Sequence, residues 1–430
     1  MPETITEKDA AYALDIVKAI CAQVGPGCPG SPQERERAEW IKKELEFHLG
    51  AGNVEVEEFI VAPGAFLGVF PMSALFLLLA AFLNISVGRF TGVSPWLIAG
   101  AALAFSLLSP LPVLFEYMAC REFVDQLFKK KRSVNVIGKL RRPETKNIRR
   151  LLILSGHHDS ALENTWIRFL GYGFLVTLPT MFIGYFVMAA MSILQLAGLA
   201  TGNAGLTRSG TVGWALLAYP IVPAIIFGMF FNRGRKNGGT VPGAADNLSA
   251  CALVVAMCRF LVKNPAYIPE DTEIRFISFG SEEAGVRGSR RYVERHLDEL
   301  KRLDARVLNF ETVAHPEIAI LTSDMANVKN SPEMIEAVAA AAERAGVPYK
   351  VESRPNTGGG GTDAGPFSQA GLKATTLLPF KMPQQIVAFY HQKWDRPEIL
   401  TIEPLFNVLK LAFEWICFGG EHPKQPPGNL

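Results

Sequence analysis

Acidic residues and histidines in this chain gather in short runs that follow β-rich stretches or precede helical ones. LLILSGHHDS ends a strand-like run with His157, His158 and Asp159, and VPGAADNLSA places Asp246 just before a helical run. IRFISFGSEEAG ends another strand with Glu282 and Glu283, VLNFE ends with Glu311, and AFYHQKWD carries His391 and Asp395. Carboxylates mixed with imidazoles suit zinc or a related divalent ion. Two histidines, a bridging carboxylate and two terminal carboxylates are the donors that a pair of ions about 3.5–4 Å apart requires. A Glu-Glu step gives one carboxylate to the metal and leaves its neighbour free as a base. A single acid at a strand end is as readily a cap or a solvated side chain; the order of the runs and their repeated place after strands carry the reading. No HExxH, GxSxG or phosphate-binding loop is present in the sequence.

Those runs need a scaffold, and the polar part of the sequence supplies an alternating one. Helical periodicity marks 7–20, 33–49, 249–263, 289–300, 334–346 and 405–418. Strand-like runs occupy 53–61, 133–140, 151–155, 273–279, 307–311, 319–322 and 373–380. This alternation predicts an α/β fold with a mixed, mostly parallel central sheet and helices on both faces. Ligands in such sheets sit at the carboxyl ends of strands, where the acidic runs lie.

Four apolar stretches interrupt that scaffold, at about 66–88, 94–117, 168–194 and 211–231, uncharged but for Glu116 and Arg168 at the ends of two of them. Each is long enough to cross a bilayer as a helix, which takes about 20 apolar residues. Trp96, Trp166 and Trp214 lie near their ends, as interfacial aromatics do. Paired as two hairpins, they return the chain to the side it left. The predicted organisation is a catalytic domain of 1–62, 119–165 and 232–430, with transmembrane hairpins at 63–118 and 166–231.

With the motifs in order, the chain resembles the co-catalytic di-zinc exopeptidase family of secreted bacterial leucyl aminopeptidases, glutamate carboxypeptidase and glutaminyl cyclase. The resemblance covers nearly all of the extramembrane sequence and implies a zinc exopeptidase-like fold with two Zn2+ ions or related divalent metals. It implies His157 as a ligand oriented by Asp159, and Asp246, within Ala245-Asp246-Asn247, as the bridging carboxylate. It makes Glu282 the general base, Glu283 and Glu311 ligands, and His391, after Tyr390, the last imidazole. Two positions depart from the family pattern. The terminal ligand is commonly Asp but here is Glu311, and the usual Ser-Asp-His is Thr362-Asp363-Ala364 after the run Gly358–Gly361. All the ligands are present, which favours an active aminopeptidase acting on peptide N-termini. A carboxypeptidase or glutaminyl-cyclase activity at the same site is the alternative, and an inactive membrane receptor or scaffold is the reading from another class.

Composition bounds the rest. The chain has 430 residues, with 43 Lys+Arg against 41 Asp+Glu and a net charge of +2, so nothing in its bulk charge points to nucleic acid. Charged residues are only 20% of the chain, against about 25% in an ordinary soluble protein. The six cysteines are scattered without disulfide-rich spacing and read as reduced thiols, and no signal peptide is recognisable at the N-terminus. Arg121, Lys129–Arg132, Lys139, Arg141, Arg142, Arg149, Arg150, Arg233, Arg235 and Lys236 flank the hairpins on the domain side, against Arg89 and Arg208 opposite. The expected location is the cell membrane, multi-pass, with the domain in the cytoplasm. Lipid bilayer and peptide are the expected partners; oligomeric state is not encoded legibly. The second hairpin separates His157 from Asp246, which suggests a site open to the membrane surface that favours apolar or membrane-bound peptide ends.

Overall fold

The aliphatic and β-branched runs pair into one eight-stranded sheet in the computed structural model, which describes residues 4–208, 239–353 and 360–421. The first part of the chain forms α1 (Glu7–Gln23), α2 (Pro32–Leu49), β1 (Val54–Val61), α3 (Ala65–Ser86), α4 (Pro95–Leu108), β2 (Lys131–Arg141) and β3 (Arg150–His157). Then come α5 (Thr165–Leu170), α6 (Thr177–Thr201), α7 (Ser249–Lys263), β4 (Thr272–Phe279), α8 (Arg287–Arg302), β5 (Arg306–Phe310) and β6 (Ile318–Leu321). The last elements are α9 (Pro332–Ala345), β7 (Tyr349–Glu352), α10 (Ala364–Gln369), β8 (Lys373–Leu378) and α11 (Ile402–Cys417).

Strand order is β1-β2-β4-β3-β5-β8-β6-β7, with the central β4-β3-β5-β8 block parallel and antiparallel pairing at β1-β2, β2-β4 and β8-β6. The mixed, mostly parallel sheet expected from the sequence is therefore the one formed. Alternating residues of β3 feed two cores, Leu152 and Leu154 into one and Leu151 and Ile153 into the other. The first core takes its cover from α1, α2, α7, α9 and α11, the second from α8 and α10. Register fixes where the site must be. His157 at the end of β3 stands beside Phe279 at the end of β4, and Phe310 of β5 beside Leu377 of β8, so the acidic loops leave the sheet at one edge. Helix α2 starts on Ser31, whose Oγ accepts from Glu34 N at 3.1 Å, with Pro32 in the first turn.

Among the described residues, four helical stretches are long and apolar enough to cross a membrane: Ala65–Ser86, Pro95–Met118, Pro179–Thr201 and Ala244–Lys263. The last is a different case from the others, because its α7 portion lies under the sheet with nearly every residue buried. Helices α3, α4 and α6 pack on one another instead, leaving Leu75, Phe82, Leu97 and Phe186 exposed. Polar groups join them: Asn84 Nδ2 donates to Ser192 Oγ at 2.9 Å, Gln195 Nε2 to Asn84 O at 2.8 Å, and Ser73 Oγ to Ser109 O at 2.6 Å. α3 and α4 thus pack beside α6, the helix that opens the second expected hairpin. Two expected boundaries change. The stretch from 168 does not enter a long helix at once: α5 ends at Gly171 (φ 52°), a short 3-10 segment follows, and α6 runs only from Thr177 to Thr201. Pro110 and Pro112 close α4 early, and 113–118 continues as a wider turn. The fourth expected span, 211–231, lies outside the described residues.

Candidate metal centre

Each candidate side chain stands where a strand stops or a helix is about to start. His157 is the last residue of β3; Asp246 sits in the turn before α7; Glu282 and Glu283 follow β4; Glu311 follows β5. His391 lies in a turn after β8, with a left-handed φ of 51°. All seven sequence-predicted site residues converge.

Asp246 is the centre of the arrangement. Its Oδ1 lies 3.4 Å from His157 Nε2 and its Oδ2 3.1 Å from His391 Nε2, so the two oxygens of one carboxylate face two different imidazoles. Around the first, Glu311 Oε1 lies 3.5 Å and Glu282 Oε2 3.7 Å from His157 Nε2. Around the second, Glu283 Oε1 lies 3.4 Å from His391 Nε2. Three three-residue groups result among the described residues, His157-Asp246-Glu311, His391-Asp246-Glu283 and His157-Glu282-Glu283, each with donor atoms close enough to hold one ion. The extra methylene of Glu311, in place of the commoner Asp, does not keep it out of reach.

Other acids orient these donors. Asp159 accepts from Glu282 N with Oδ1 and from Glu283 N with Oδ2, both at 3.0 Å, and its Oδ1 lies 3.4 Å from His157 Nδ1. It therefore clamps the Glu-Glu turn and the imidazole together. Asp395 accepts from Ala245 N at 2.6 Å and Asp246 N at 3.0 Å. Asn247 Nδ2 donates to Glu311 Oε2 at 3.3 Å and to Phe310 O at 3.0 Å. Sequence reasoning assigned no role to Asn247 or Asp395, although their adjacency to Asp246 and His391 was a usable signal. It also missed the face of α2. Glu34 accepts from Ser281 N and Oγ, both at 2.8 Å, while Arg37 donates to His158 O at 3.1 Å and Pro242 O at 2.7 Å. One helix face thereby pins three of the loops that carry the donors. His158 is a packing residue, buried, with Nδ1 2.8 Å from Ser278 Oγ.

The electrostatics ask for cations. Asp159, Asp246, Glu282, Glu311, Asp363 and Asp395 are all buried around two imidazoles. Burial raises the Glu282 carboxyl well above the ordinary range, and repulsion from Glu311, Glu283 and Asp363 adds to it against the pull of His157. Burial lifts Asp363 and Asp395 each to about 8. Burial disfavours charge on His391, but Glu283 and Asp246 overcome it and lift that imidazole to about 10. His157 Nε2, Asp246 Oδ2 and both oxygens of Asp363 are buried without a hydrogen-bond partner. Buried polar atoms are nearly always satisfied. Orphaned imidazole nitrogen and carboxylate oxygen aimed into one space are the donors a zinc-type ion takes; the residues fit the metal.

Comparison with known proteins agrees with this geometry. Residues 232–415 match the sequence profile of peptidase family M28. This part of the chain is similar to the M28 peptidases. A curated relative, aminopeptidase YwaD of Bacillus subtilis, is 32% identical over 182 residues, covering 41% of this chain and 34% of that protein. The match thus spans about a third of that relative's length. Among solved structures, the zinc aminopeptidase BSAP of Bacillus subtilis superposes with a TM-score of 0.53 at 16% identity, covering 97% of this chain and 96% of that one. An aminopeptidase from Aneurinibacillus sp. strain AM-1 gives 0.53 at 16%, covering 98% and 97%. A glutaminyl cyclase from an Acidobacteriales bacterium gives 0.53 at 12%, covering 97% of each chain. These likenesses establish the fold. The M28 match starts after the second apolar insertion, so His157 and Asp159 lie outside it; folding brings them back to the site.

Proposed function

We propose that this chain is a multi-pass membrane metallopeptidase that removes N-terminal residues from peptides. The observation that carries the reading is Asp246, whose two oxygens face His157 and His391 within two donor groups. In this reading His157 and Glu311 would hold one zinc ion and His391 and Glu283 a second, with Asp246 offering an oxygen to each group. When bound, such a pair supplies Lewis-acid polarisation of the scissile carbonyl and acidifies water. Glu282 takes the proton of the attacking water and returns it to the leaving amine. Burial first, and the neighbouring carboxyls after it, raise its proton affinity in the metal-free chain, the direction a proton shuttle needs. Asp159 keeps the His157 imidazole and the Glu282 backbone in register. The aminopeptidase relative favours peptide N-termini over the alternatives.

The catalytic domain in this reading comprises 1–62, 119–165 and 232–430, with membrane hairpins at 63–118 and 166–231. The exposed apolar sides of α3, α4 and α6 support the membrane assignment. Excess Lys and Arg on the domain side, including the exposed run Lys129–Arg132, supports a cytoplasmic domain. The deciding experiment uses the purified full chain in lipid nanodiscs with fluorogenic aminoacyl amides, N-blocked C-terminal substrates and an N-terminal glutamine peptide. Chelator-sensitive, zinc-restored release from the aminoacyl amides alone is expected. Cyclisation of the glutamine peptide or C-terminal release would replace the reading, and inertness on all three would favour a receptor or scaffold.

A further inference from the structure

The turn that carries Glu282 and Glu283 is bracketed by Ser281 and Val286, both at a left-handed φ of 54°. Non-glycine residues hold that conformation only where their surroundings over-determine it, a β-branched one above all. The Ser281 end is held from within the domain by Glu34. The Val286 end is held by the first apolar hairpin. Val286 is buried against Phe66 at the start of α3, Cys120 and Met325, with Tyr117 beside them. A Cβ on Gly285 would come within 2.8 Å of the Phe66 ring, so that ring lies directly over the turn.

A buried charge cluster joins the same two parts. Arg287, the residue after Val286, donates to the Glu116 carboxylate, to Asp125 Oδ1 at 3.2 Å and to Cys120 O at 2.9 Å. Glu116 belongs to the last turn of the hairpin's second segment and is fully buried. Its other oxygen accepts from Phe123 N at 2.7 Å and Val124 N at 3.0 Å. The entry to the second apolar stretch is rooted comparably: Asn164 N donates to His391 O at 3.0 Å, and Gln392 Nε2 donates to both Asn164 O and His391 O at 2.8 Å. A tether needs none of this. Burying an Arg-Glu pair is costly, and removing one partner leaves the other uncompensated.

We propose that the exit of the first hairpin is a positioning element of the metal centre, in which Glu116, acting through Arg287, holds the Glu282–Glu283 turn. The link to turnover rests on the peptidase reading; the link to the turn does not. The test compares wild type, Glu116→Gln and Phe66→Ala as full chains in nanodiscs. It reads hydrogen exchange of 280–288, zinc affinity, and kcat and KM on an aminoacyl amide. The amides of Gly280, Ser281, Glu282 and Glu283 all donate to side chains, so loosening of the turn is visible there. Glu116→Gln is expected to speed exchange in 280–288 at least tenfold with α9 unchanged. Zinc binding should weaken at least tenfold, and kcat should fall at least tenfold with KM within twofold. Phe66→Ala should move the same quantities in the same direction by less, and decides the matter if Glu116→Gln does not fold. Unchanged exchange and zinc affinity, or exchange rising equally in α9, would overturn the proposal. An inactive wild type in which exchange and zinc affinity still respond would sink the peptidase reading and leave the positioning role standing.

Discussion

Replacing Asp395 by Asn tests whether the bridging carboxylate is held in place from behind. The two oxygens of Asp395 accept from the backbone N–H groups of Ala245 and Asp246 at 2.6 and 3.0 Å, and the side chain is fully buried. An asparagine can accept from only one of them. Its NH2 would meet the other N–H donor to donor in a fully buried position. Losing one charge-assisted hydrogen bond costs about 1.5–3 kcal/mol. If the Asp246 loop bears that cost, zinc affinity falls about 10–100-fold, the usual range for removing a group that orients a ligand. Asp395→Ala leaves both N–H groups unmet and should weaken zinc further. The measurement is zinc competition against a chromophoric chelator, with thermal unfolding in excess zinc to confirm that the variant is folded. Zinc affinity within twofold of wild type for both variants would show that Asp395 merely packs behind the site.

Glu282→Gln should keep its metal and lose turnover by about 10²–10⁴-fold, while Asp246→Asn should lose metal, read by metal content beside kcat; wild-type activity in Glu282→Gln removes it as the base. Glu34, Asp363 and Asp395 are each lifted to about 8, chiefly by burial, against about 4 for an unfolded carboxyl. Between those values the folded, metal-free chain keeps protons that the unfolded chain releases, so its stability is greatest below about pH 4 as far as these groups go and is lost as pH rises through about 8. The chelated protein should therefore melt several degrees lower near pH 8 than near pH 6, and a flat Tm across that range would contradict the burial argument. A membrane-impermeant thiol reagent applied to intact cells should leave Cys28 and Cys417, both partly exposed on the domain, unlabelled; labelling would place the domain outside. In nanodiscs, peptides with an apolar tail should show a higher kcat/KM than matched soluble ones, and equal values would leave the hairpins no part in substrate choice.

How much of the site is legible in the sequence depends on whether a residue acts through its neighbours in the chain. His157, Glu282, Glu283 and Glu311 could be found because each lies at or just past the end of a strand buried on both faces, whose continuous apolar run announces where it ends. β7 was missed because YKVE is a four-residue edge strand with no such run. Glu34 and Arg37 were invisible for another reason. They sit in PQERERAEWIKKELEFHL, where charge is the rule, and nothing local marks the two that turn inward to bind loops far along the chain. Asp363 stood out only as a departure from a motif, yet it is buried in the site with both oxygens unmet.

The apolar helices show the same limit from the other side. Length and composition select Ala244–Lys263 on the same terms as α3 and α6, yet the first is a core helix roofed by α1, α2 and α11. Apolarity states only that a helix must avoid water; the covering partner decides where it goes. α7 has such partners within the chain. Among the described residues α3, α4 and α6 cover one another only in part, and Leu97 and Phe186 remain 71% and 75% exposed; in the proposed membrane reading the remaining cover comes from outside the protein. A bilayer supplies it without specific contacts, which leaves the hairpins' few buried polar groups free for other work. Glu116 is one of them, and it spends its charge on Arg287, next to the turn where proton transfer is proposed.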